Sequence, residues 1–575
     1  MATNSPSAKQ SPLRAFLAVL VLAGVLVPGD GVRAQGLDRA EVEAVDAIFE
    51  EWSDPAGPGA AVAVTRNGRV VYSQGYGSAQ LEYRVPVTPS TIFHVASVSK
   101  QFTTFAVALL ARDGALSWDD ELHTHLPELP DLGRPVTLRQ LATHTSGVRD
   151  QWELLIQAGW RIDDVITREQ ILQLMQRQRE LNFEPGSEYL YSNMGYSLMA
   201  EVVERVSGMG FDDFLQERVF LPLGMHRTHV HSDHTMVVPG RAYSYAPAPE
   251  GEWHNAVLSY ANQGATSLFT TVEDLGRWMG ELEDPVVGDE ELWAEMLEPA
   301  RLGNGETVPY ALGIAVDSYR GLTTWGHGGA DAGFRTNVVY FPEERLGVVV
   351  LGNASSFDAG GMARRVAEVF LKHRMEAQDD NGVRDRSPVH VPESVLAELA
   401  GRYRLAGGTI VMVTREGGEL RAEVGEEGDH YALVPLSDSS FHVEAVEGRT
   451  TFTRDGDGRV DGVVWAGPEG TERGRRLQVD ALPAGDMEAY PGSYYSPELD
   501  VVYRFRVDDG SLVVERPRQP DLELFVTDRD RFGSSNWGMN TVEFTRDPAG
   551  EIDGFLASGG RVRNMRFHLV EAWDF

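Results

Sequence analysis

The chain has 575 residues, of which 42% are hydrophobic and 24% are charged, proportions that are ordinary for globular proteins and exclude disorder over most of the length. A single hydrophobic core stops growing near about 250 to 300 residues, so we expect two to four domains. The formal net charge of −35 argues against nucleic acid or an anionic membrane as a partner, because both bind basic surfaces.

The first 34 residues have the pattern of an export signal. Lys9 and Arg14 form a positive segment, an apolar stretch follows over 15–27, and a small-residue cleavage motif ends at Ala34. The apolar stretch is too short to span a bilayer comfortably, and an uncleaved anchor is the alternative. We therefore expect a periplasmic or secreted protein with no membrane span after cleavage. The chain contains no cysteine, which excludes disulfides and thiol chemistry.

Residues 36–375 have the pattern of one α+β domain. Two alternating apolar runs meet at Asn67-Gly68, which predicts a tight hairpin because both residues tolerate positive φ. Residues 99–112 carry apolar side chains at helical spacing and predict a largely buried helix. The segment "FRTNVVYFPEERLGVVVLGNAS" predicts two strands, and "FDAGGMARRVAEVFLKHR" predicts a closing amphipathic helix. Strands at both ends that enclose helices predict an antiparallel sheet flanked by helices.

The C-terminal part of the chain consists of short alternating runs that repeat. "FTRDGDGRVDG" begins at Phe452 and "FTRDPAGEIDG" at Phe544, 92 residues later, while Tyr403 and Tyr494 end matching segments 91 residues apart. The repetition predicts two copies of one small all-β barrel module, preceded by a polar linker. The predicted boundaries are 376–388 for the linker, 389–482 for the first module and 483–575 for the second.

Lysine is rare in this chain: 48 of the 51 basic residues are arginine, and the three lysines are Lys9, Lys100 and Lys372. Arginine cannot deprotonate in a protein, whereas a buried lysine can lose its proton and act as a base. Ser97 lies three residues before Lys100, so a helical backbone would place hydroxyl and amine on one face. Ser99 would point elsewhere. The spacing predicts a nucleophile and its base, the alternative being a helix-capping serine with a solvated lysine.

A second polar segment, Tyr191-Ser192-Asn193, directly precedes a predicted helix. The phenol of Tyr191 can relay a proton, and the amide of Asn193 can donate a hydrogen bond to a substrate carbonyl. The alternative is an ordinary loop tripeptide. The segment therefore supports the Ser97 hypothesis only in combination with other motifs.

A third segment, His327-Gly328-Gly329, comes before the predicted strand hairpin. The glycines would let an extended substrate approach the strand edge, and the backbone N–H of Ala330 would be free to stabilise an oxyanion. The N–H of Ser97, at a helix N-terminus, is the second predicted oxyanion donor. A plain turn is the alternative interpretation of this segment.

These three motifs, in this order within one α+β domain, resemble those of the serine penicillin-recognising enzymes, in the class C β-lactamase-like branch. That branch includes D-aminopeptidases, D-alanyl-D-alanine carboxypeptidases and β-lactamase-like esterases. The segments "LRQLATHTSGV", "FLPLGM" and "SLFTTVEDLGRW" are also similar to stretches common in this family, and the resemblance covers about 36–375. The two C-terminal modules resemble the paired barrels that follow the catalytic domain in D-aminopeptidases. The resemblance implies a β-lactamase/transpeptidase-like fold.

The resemblance also implies acyl transfer. Ser97 would attack a carbonyl to form an acyl-enzyme, Lys100 and Tyr191 would share the role of base, and the N–H groups of Ser97 and Ala330 would hold the oxyanion. Water would then release the acyl group, and no metal or organic cofactor is required. The implied substrate-binding residues are Asn193, His327, Gly328 and Gly329. Histidine stands at the position of the third-motif lysine.

We expect a small peptide or ester substrate, with D-amino-acid peptides the leading class. A histidine of ordinary pKa is mostly neutral at pH 7, which weakens the case for an efficient β-lactamase but leaves a carboxypeptidase open. Arg335 could anchor a substrate carboxylate, or simply lie at a strand edge. An aminopeptidase would need an acidic residue near the substrate amine, which a loop of an accessory module could supply.

Other functions remain open at this stage. A β-lactamase-like carboxylesterase or a weak β-lactamase would use the same residues. A catalytically silent sensor of cell-wall peptides or penicillin belongs to a different class, and the intact set of Ser97, Lys100 and Tyr191 argues against it. A role of the modules in docking a partner is a further alternative. The sequence does not predict the oligomeric state.

Overall fold

The computed structural model describes residues 37–258, 262–376, 389 and 391–571, apart from short gaps at 406–409, 425–428, 444–447, 468–469, 478–486 and 535. The predicted export signal at 1–34 and all but one residue of the predicted linker at 376–388 lie outside the described residues. Within the part of the chain that the structure describes, no helix combines the length and apolar composition needed to cross a bilayer.

The N-terminal domain contains short and long strands in chain order. They are β1 (Ala60–Arg66), β2 (Arg69–Tyr76), β3 (Ser78–Gln80), β4 (Val85–Pro86), β5 (Phe93–His94), β6 (His229–Val230), β7 (Tyr245–Pro247), β8 (Trp253–Asn255), β9 (Leu268–Thr270), β10 (Ala315–Tyr319), β11 (Leu322–Asp331), β12 (Phe334–Phe341) and β13 (Leu346–Gly352).

The helices follow the same order, the last of them preceding the first barrel. They are α1 (Arg39–Ile48), α2 (Ser99–Arg112), α3 (Leu122–His125), α4 (Leu138–Ala142), α5 (Gln151–Gln157), α6 (Arg168–Arg177), α7 (Asn193–Ser207), α8 (Phe211–Leu215), α9 (Val272–Glu283), α10 (Glu290–Met296), α11 (Ala359–Leu371) and α12 (Glu393–Leu399).

The N-terminal domain is built on a six-stranded antiparallel sheet with the order β10-β11-β12-β13-β1-β2. Strand β1, which lies between β13 and the edge strand β2, is buried on both faces, so alternate residues enter two different cores. Ala61 and Ala63 join the core formed with α2, α7 and α9, while Val62 and Val64 join the core formed with α1 and α11. This arrangement confirms the predicted α+β domain with an antiparallel sheet flanked by helices.

Two local predictions are confirmed in detail. The hairpin between β1 and β2 turns at Asn67 and Gly68, whose φ angles are 51° and 70°. Helix α2 covers the predicted residues 99–112, and Ser99 to Leu110 are all buried. A helix that is buried on every side requires apolar or small side chains all round it.

Both C-terminal modules are closed barrels of eight strands, as predicted from the repeat. The strands of the first barrel are β14 (Gly401–Leu405), β15 (Ile410–Glu416), β16 (Glu419–Val424), β17 (Asp429–Pro435), β18 (Ser440–Val443), β19 (Gly448–Arg454), β20 (Val460–Gly467) and β21 (Gly470–Leu477). Those of the second are β22 (Gly492–Ser496), β23 (Val501–Asp508), β24 (Ser511–Glu515), β25 (Leu522–Asp528), β26 (Arg531–Gly533), β27 (Thr541–Arg546), β28 (Ile552–Ser558) and β29 (Met565–Val570).

The strand register explains why the repeat has offsets of 91 and 92 residues. Tyr403 pairs with Val411 in the first barrel, and Tyr494 pairs with Tyr503 in the second. The second barrel therefore has one additional residue in its first hairpin. In both barrels the first tyrosine donates a hydrogen bond to a carbonyl four residues upstream, at 2.6 Å and 2.9 Å respectively.

Candidate active site

Ser97 lies in a single 3₁₀ turn, Ala96–Val98, that leads directly into α2. Ala96 has a φ of 48°, a conformation that is costly for a residue with a side chain and must be held by its surroundings. Strand β11 packs closely here, since a Cβ at Gly329 would lie 2.4 Å from the carbonyl oxygen of Val95. Glycine at position 329 therefore allows β11 to approach the Ser97 turn.

The structure brings Ser97 and Lys100 together as the spacing predicts, although Ser97 precedes the helix instead of lying within it. The Nζ of Lys100 is 3.2 Å from the Oγ of Ser97. The Oγ of Ser99, in contrast, accepts a hydrogen bond from the backbone N–H of Leu268 at 3.1 Å. Of the two serines, the one with its hydroxyl at the lysine is Ser97.

Lys100 is fully buried, which excludes the solvated lysine that the sequence left as an alternative. Its amine donates hydrogen bonds to the Oδ1 of Asn193 at 2.8 Å and to the carbonyl of Ala265 at 2.9 Å. Burial lowers the pKa of Lys100 to about 7, against the opposing charge of Asp150 and with a smaller contribution from Arg561. A large fraction of the amine is therefore neutral at neutral pH.

The ring of Tyr191 lies beside both groups. Its centroid is 4.9 Å from the Nζ of Lys100 and 4.0 Å from that of the His144 ring. Burial raises the pKa of the Tyr191 phenol well above its usual range, and interaction with the Ser97 side chain offsets this in part. The phenol is therefore protonated at neutral pH, and Lys100 is the group with a free electron pair beside Ser97.

Asn193 connects the lysine to a carboxylate that the sequence did not single out. Both the backbone N–H and the Nδ2 of Asn193 donate to the Oδ2 of Asp150, each at 2.8 Å. Asp150 also caps helix α5 by accepting from the N–H of Trp152. The Asn193 amide, expected to bind the substrate carbonyl, is thus engaged by protein groups at both ends, and it orients Lys100.

His327, Gly328 and Gly329 lie inside strand β11, so their interpretation as a turn ahead of the hairpin is wrong. Asp331 and Phe334 close the hairpin between β11 and β12. Hydrogen-bonded and non-bonded pairs alternate from such a closing pair along antiparallel strands. The N–H of Ala330 is therefore directed away from β12, toward the side on which the Ser97 turn packs.

His327 does not supply the positive charge that a lysine would at this position. Its Nδ1 donates to the carbonyl of Gly328 at 2.5 Å, and its Nε2 accepts from the hydroxyl of Tyr310 at 2.8 Å. Burial lowers the pKa of His327 to about 4, and the charge of Lys100 acts in the same direction. The imidazole is therefore neutral, with Tyr310 fixing its orientation.

His144 is a second buried histidine at the site, and sequence reasoning missed it. Its Nδ1 accepts the backbone N–H of Ser192 at 3.0 Å, and its ring packs against Tyr191, Tyr196 and Tyr310. Burial lowers the pKa of His144 well below its usual range. The only signal in the sequence was its place in "LATHTSG".

Within the described residues, no group of three or more His, Asp or Glu side chains could hold a metal ion.

A loop of the second barrel completes the site. Residues 559–564 join β28 to β29, and the N–H of Arg561 donates to both carboxylate oxygens of Glu153 at 2.8 Å. The carbonyl of Arg561 accepts from the Nδ2 of Asn182 at 2.8 Å. The guanidinium carbon of Arg561 lies 4.9 Å from the centroid of the Tyr191 ring. Sequence reasoning considered, for an aminopeptidase, an acidic residue from a loop of an accessory module, whereas this loop carries two arginines and no acid.

A buried ion pair fastens the same barrel beside the site. The Nη1 of Arg149 donates to the Oε2 of Glu498 at 2.8 Å, and the two side chains are 1% and 7% exposed. The carbonyl of Arg563 accepts from the Nη2 of Arg149 at 3.1 Å. Arg149 precedes Asp150 directly in the chain, so the docking of the barrel and the position of the site carboxylate are coupled.

The chain is similar to known proteins over most of its length. A family model described as Beta-lactamase matches residues 39–370, and one described as a domain of unknown function (DUF3471) matches residues 385–481. The chain is 32% identical to the D-aminopeptidase of Brucella anthropi over 90% of this chain and 96% of that protein. It is 30% identical to the D-aminopeptidase of Gluconobacter oxydans over 55% of this chain and 59% of that protein.

A solved structure shows the same fold over most of the chain. The octameric penicillin-binding protein homologue from Pyrococcus abyssi aligns with a TM-score of 0.55 and 22% identity. The alignment covers 83% of this chain and 98% of that one. At this identity the likeness concerns the fold alone.

Proposed function

Since the chain belongs to the β-lactamase family and is a serine hydrolase of the type that includes the D-aminopeptidases, we propose that it cleaves small peptides or amides of D-amino acids through an acyl-enzyme on Ser97. The observation that carries this proposal is the 3.2 Å contact between the Ser97 Oγ and the Nζ of Lys100. Lys100 is buried and its pKa is lowered to about 7. A neutral amine at this distance can take the hydroxyl proton.

In the acylation step, the Ser97 Oγ forms a bond to the substrate carbonyl carbon and its proton passes to Lys100. The negative charge on the carbonyl oxygen is stabilised by the N–H groups of Ser97 and Ala330. The bond from the carbonyl carbon to the leaving nitrogen then breaks, and the proton reaches that nitrogen through the phenol of Tyr191. The products of this step are a free amine and an ester on Ser97.

In the deacylation step, a water molecule attacks the ester carbon and gives a proton to Lys100, directly or through the phenol of Tyr191. The ester bond to the Ser97 Oγ breaks, a carboxylic acid leaves, and the serine regains its proton. Asn193 acts throughout by holding the Lys100 amine through its Oδ1 and the Asp150 carboxylate through its Nδ2.

The mechanism is tested by covalent labelling. A fluorophosphonate probe is expected to add one adduct to the folded protein at Ser97, located by intact-mass and peptide analysis. The Ser97→Ala variant should not label, whereas Ser99→Ala should, because the Ser99 hydroxyl bonds to the backbone of Leu268. Equal labelling of Ser97→Ala, or no adduct on folded wild type, would refute the acyl-enzyme.

The substrate class is tested with a small panel. D-alanine p-nitroanilide, an acetylated D-Ala-D-Ala peptide, nitrocefin and a short p-nitrophenyl ester represent the amidase, peptidase, β-lactamase and esterase activities. We expect turnover of at least one of the two D-amino-acid substrates and a higher kcat/KM for it than for its L-enantiomer. Turnover of the ester alone would contradict the peptidase assignment and favour an esterase.

We further propose that the enzyme is exported to the periplasm or secreted, on the basis of the positive and apolar pattern of residues 1–34. The mature protein recovered from the exported fraction should begin at Gln35, as read by N-terminal sequencing. An intact N-terminus on protein in that fraction would show that the segment is retained.

A further inference from the structure

The loop of the second barrel places one cation, the guanidinium of Arg561, over the ring of Tyr191. The backbone of Arg561 is held by Glu153 and Asn182, and the carbonyl of Arg561 also accepts the N–H of Asp150 at 3.3 Å. Its guanidinium contacts the Tyr191 ring and makes no hydrogen bond or ion pair with any other residue that the structure describes. A fixed backbone together with a guanidinium that has no hydrogen-bond partner among the described residues is the geometry expected of a ligand-binding group.

The other candidate cations near the site are unavailable to a substrate anion. His327 is neutral and both of its ring nitrogens are hydrogen-bonded. The Nη1 of Arg335 donates to the carbonyls of Ala332 and Phe334, so the carboxylate anchor considered from the sequence is engaged by its own hairpin. Lys100 donates to protein acceptors and is enclosed.

Asp150 and Glu153 act on the charge of Arg561 and raise the pKa of its guanidinium, but within the described residues neither carboxyl group forms a hydrogen bond or an ion pair with that guanidinium. Asp150 accepts hydrogen bonds from Asn193 and from the N–H of Trp152. Burial raises the pKa of Glu153 to about 8, so this group is mostly protonated at neutral pH. Since it accepts the N–H of Arg561, Glu153 fixes the loop without neutralising the guanidinium.

We propose that Arg561 is a specificity-determining residue that binds a carboxylate of the substrate close to the scissile bond. A guanidinium presents paired donors that match the two oxygens of a carboxylate, and the interaction is strong where water is excluded. A substrate ammonium would be repelled by the same charge. The accessory barrel thus selects D-amino-acid peptides that carry a free carboxylate near the cleaved bond, and this inference rests on the proposed acyl-enzyme mechanism.

The test compares matched substrates that differ only in charge. Acetyl-D-Ala-D-Ala and its C-terminal carboxamide are hydrolysed by wild-type enzyme at a pH well above the pKa of Lys100, and kcat/KM is measured for each. We expect the acid to be preferred at least about tenfold, as for a charge-assisted hydrogen bond. Arg561→Gln should abolish this preference, and Arg561→Lys should restore part of it.

Arg563→Gln is the matched control, because Arg563 lies in the same loop but its guanidinium pairs with the exposed Glu188 at 2.9 Å. This variant should keep the wild-type ratio of acid to carboxamide. A merely structural role of Arg561 would lower both rates and leave their ratio unchanged. Such an outcome, or equal hydrolysis of acid and carboxamide by wild type, would overturn the proposal.

A binding measurement separates this proposal from the acyl-enzyme itself. Acetyl-D-alanine and acetyl-D-alanine amide are compared as protectants of Ser97 against the fluorophosphonate probe. Stronger protection by the acid in wild type, lost in Arg561→Gln, supports carboxylate binding even where neither peptide is turned over. Equal protection by the two overturns it while labelling of Ser97 stands, and absence of labelling refutes the proposed function instead.

Discussion

The first barrel and the second barrel have the same eight-stranded topology, yet they relate differently to the N-terminal domain. The core of the second barrel is continuous with that of the N-terminal domain, from Met487 to Phe567. The core of the first barrel forms a separate cluster of residues from Val391 to Val463. One repeated module therefore supplies a packed wall of the active site in one copy, while the other copy has a core of its own.

One difference lies in the last hairpin of each barrel. In the first barrel, β20 and β21 continue to pair as far as Gly467 and Gly470. In the second barrel, the pairing of β28 and β29 ends at Ala557 and Met565, and the chain between them opens into the active site. The strand framework tolerates this change because a barrel is closed by its strands and not by its loops.

A second difference concerns one position of the second strand of each barrel, buried in the second barrel and partly buried in the first. Tyr503 donates a hydrogen bond from its hydroxyl to the carbonyl of Gln157 at 2.6 Å. The register places Val411 at the equivalent position of the first barrel, where no hydroxyl is present. The comparison teaches that the repeat determines the fold of each module, while a few loop and surface residues determine what the module docks against.

The largest expected effect is on the buried ion pair of the second barrel. Glu498→Ala leaves Arg149 buried without its carboxylate and should lower the free energy of unfolding by about 3 to 5 kcal/mol. As a contrast, Glu398→Ala in α12 removes the exposed pair with Arg454 of the first barrel and should cost under about 1 kcal/mol. Urea unfolding measures both. Equal losses would mean that the second barrel is not anchored by this pair.

A smaller effect is expected from steric pressure on the loop that enters the site. A Cβ at Gly559 would lie 2.8 Å and 2.9 Å from the carbonyl oxygens of Gly538 and Trp537. Gly559→Ala should therefore shift the loop and cost about 1 to 3 kcal/mol, with a parallel loss of kcat/KM. Gly456→Ala, in the first barrel, meets no atom within 4 Å and should change stability by under about 0.5 kcal/mol. Full activity of Gly559→Ala would show that the loop is not needed.

The smallest expected effect is a shift in pH dependence. Lys100 must be neutral to accept the Ser97 proton, and its pKa is lowered to about 7, so the labelling rate should rise through that pH. The charge of Arg561 contributes to the lowered pKa of Lys100. Arg561→Gln should therefore raise this pKa and shift the rise in labelling rate to higher pH. Because the fluorophosphonate probe is uncharged, its labelling rate reports the protonation of Lys100 without any effect of charge on the substrate. Arg473→Gln in the first barrel should leave the pH dependence of labelling unchanged. An unchanged pH dependence in Arg561→Gln would exclude an effect of Arg561 on the pKa of Lys100.

Sequence reasoning correctly predicted the structural elements that depend on local sequence signals. Periodicity predicted α2 and the hairpin at Asn67-Gly68, and the repeat predicted both barrels. The Ser97 and Lys100 pair followed from a three-residue spacing and from the rarity of lysine. Sequence reasoning expected a mostly neutral His327 at the position of the third-motif cation, but it did not predict the burial of this residue or its hydrogen bond with Tyr310. Neither burial nor hydrogen-bond partners can be read from such a short motif.

By itself, the sequence predicted the pairing of Ser97 with Lys100 and the order of the domains, because each depends on residues that are near in the chain or repeat along it. Only the tertiary structure decided the surroundings of the nucleophile. Asp150, Asn193 and Arg561 are brought together by a barrel that docks through the buried contact of Arg149 with Glu498. The charge beside the nucleophile therefore depends on packing between distant segments, which no local pattern encodes.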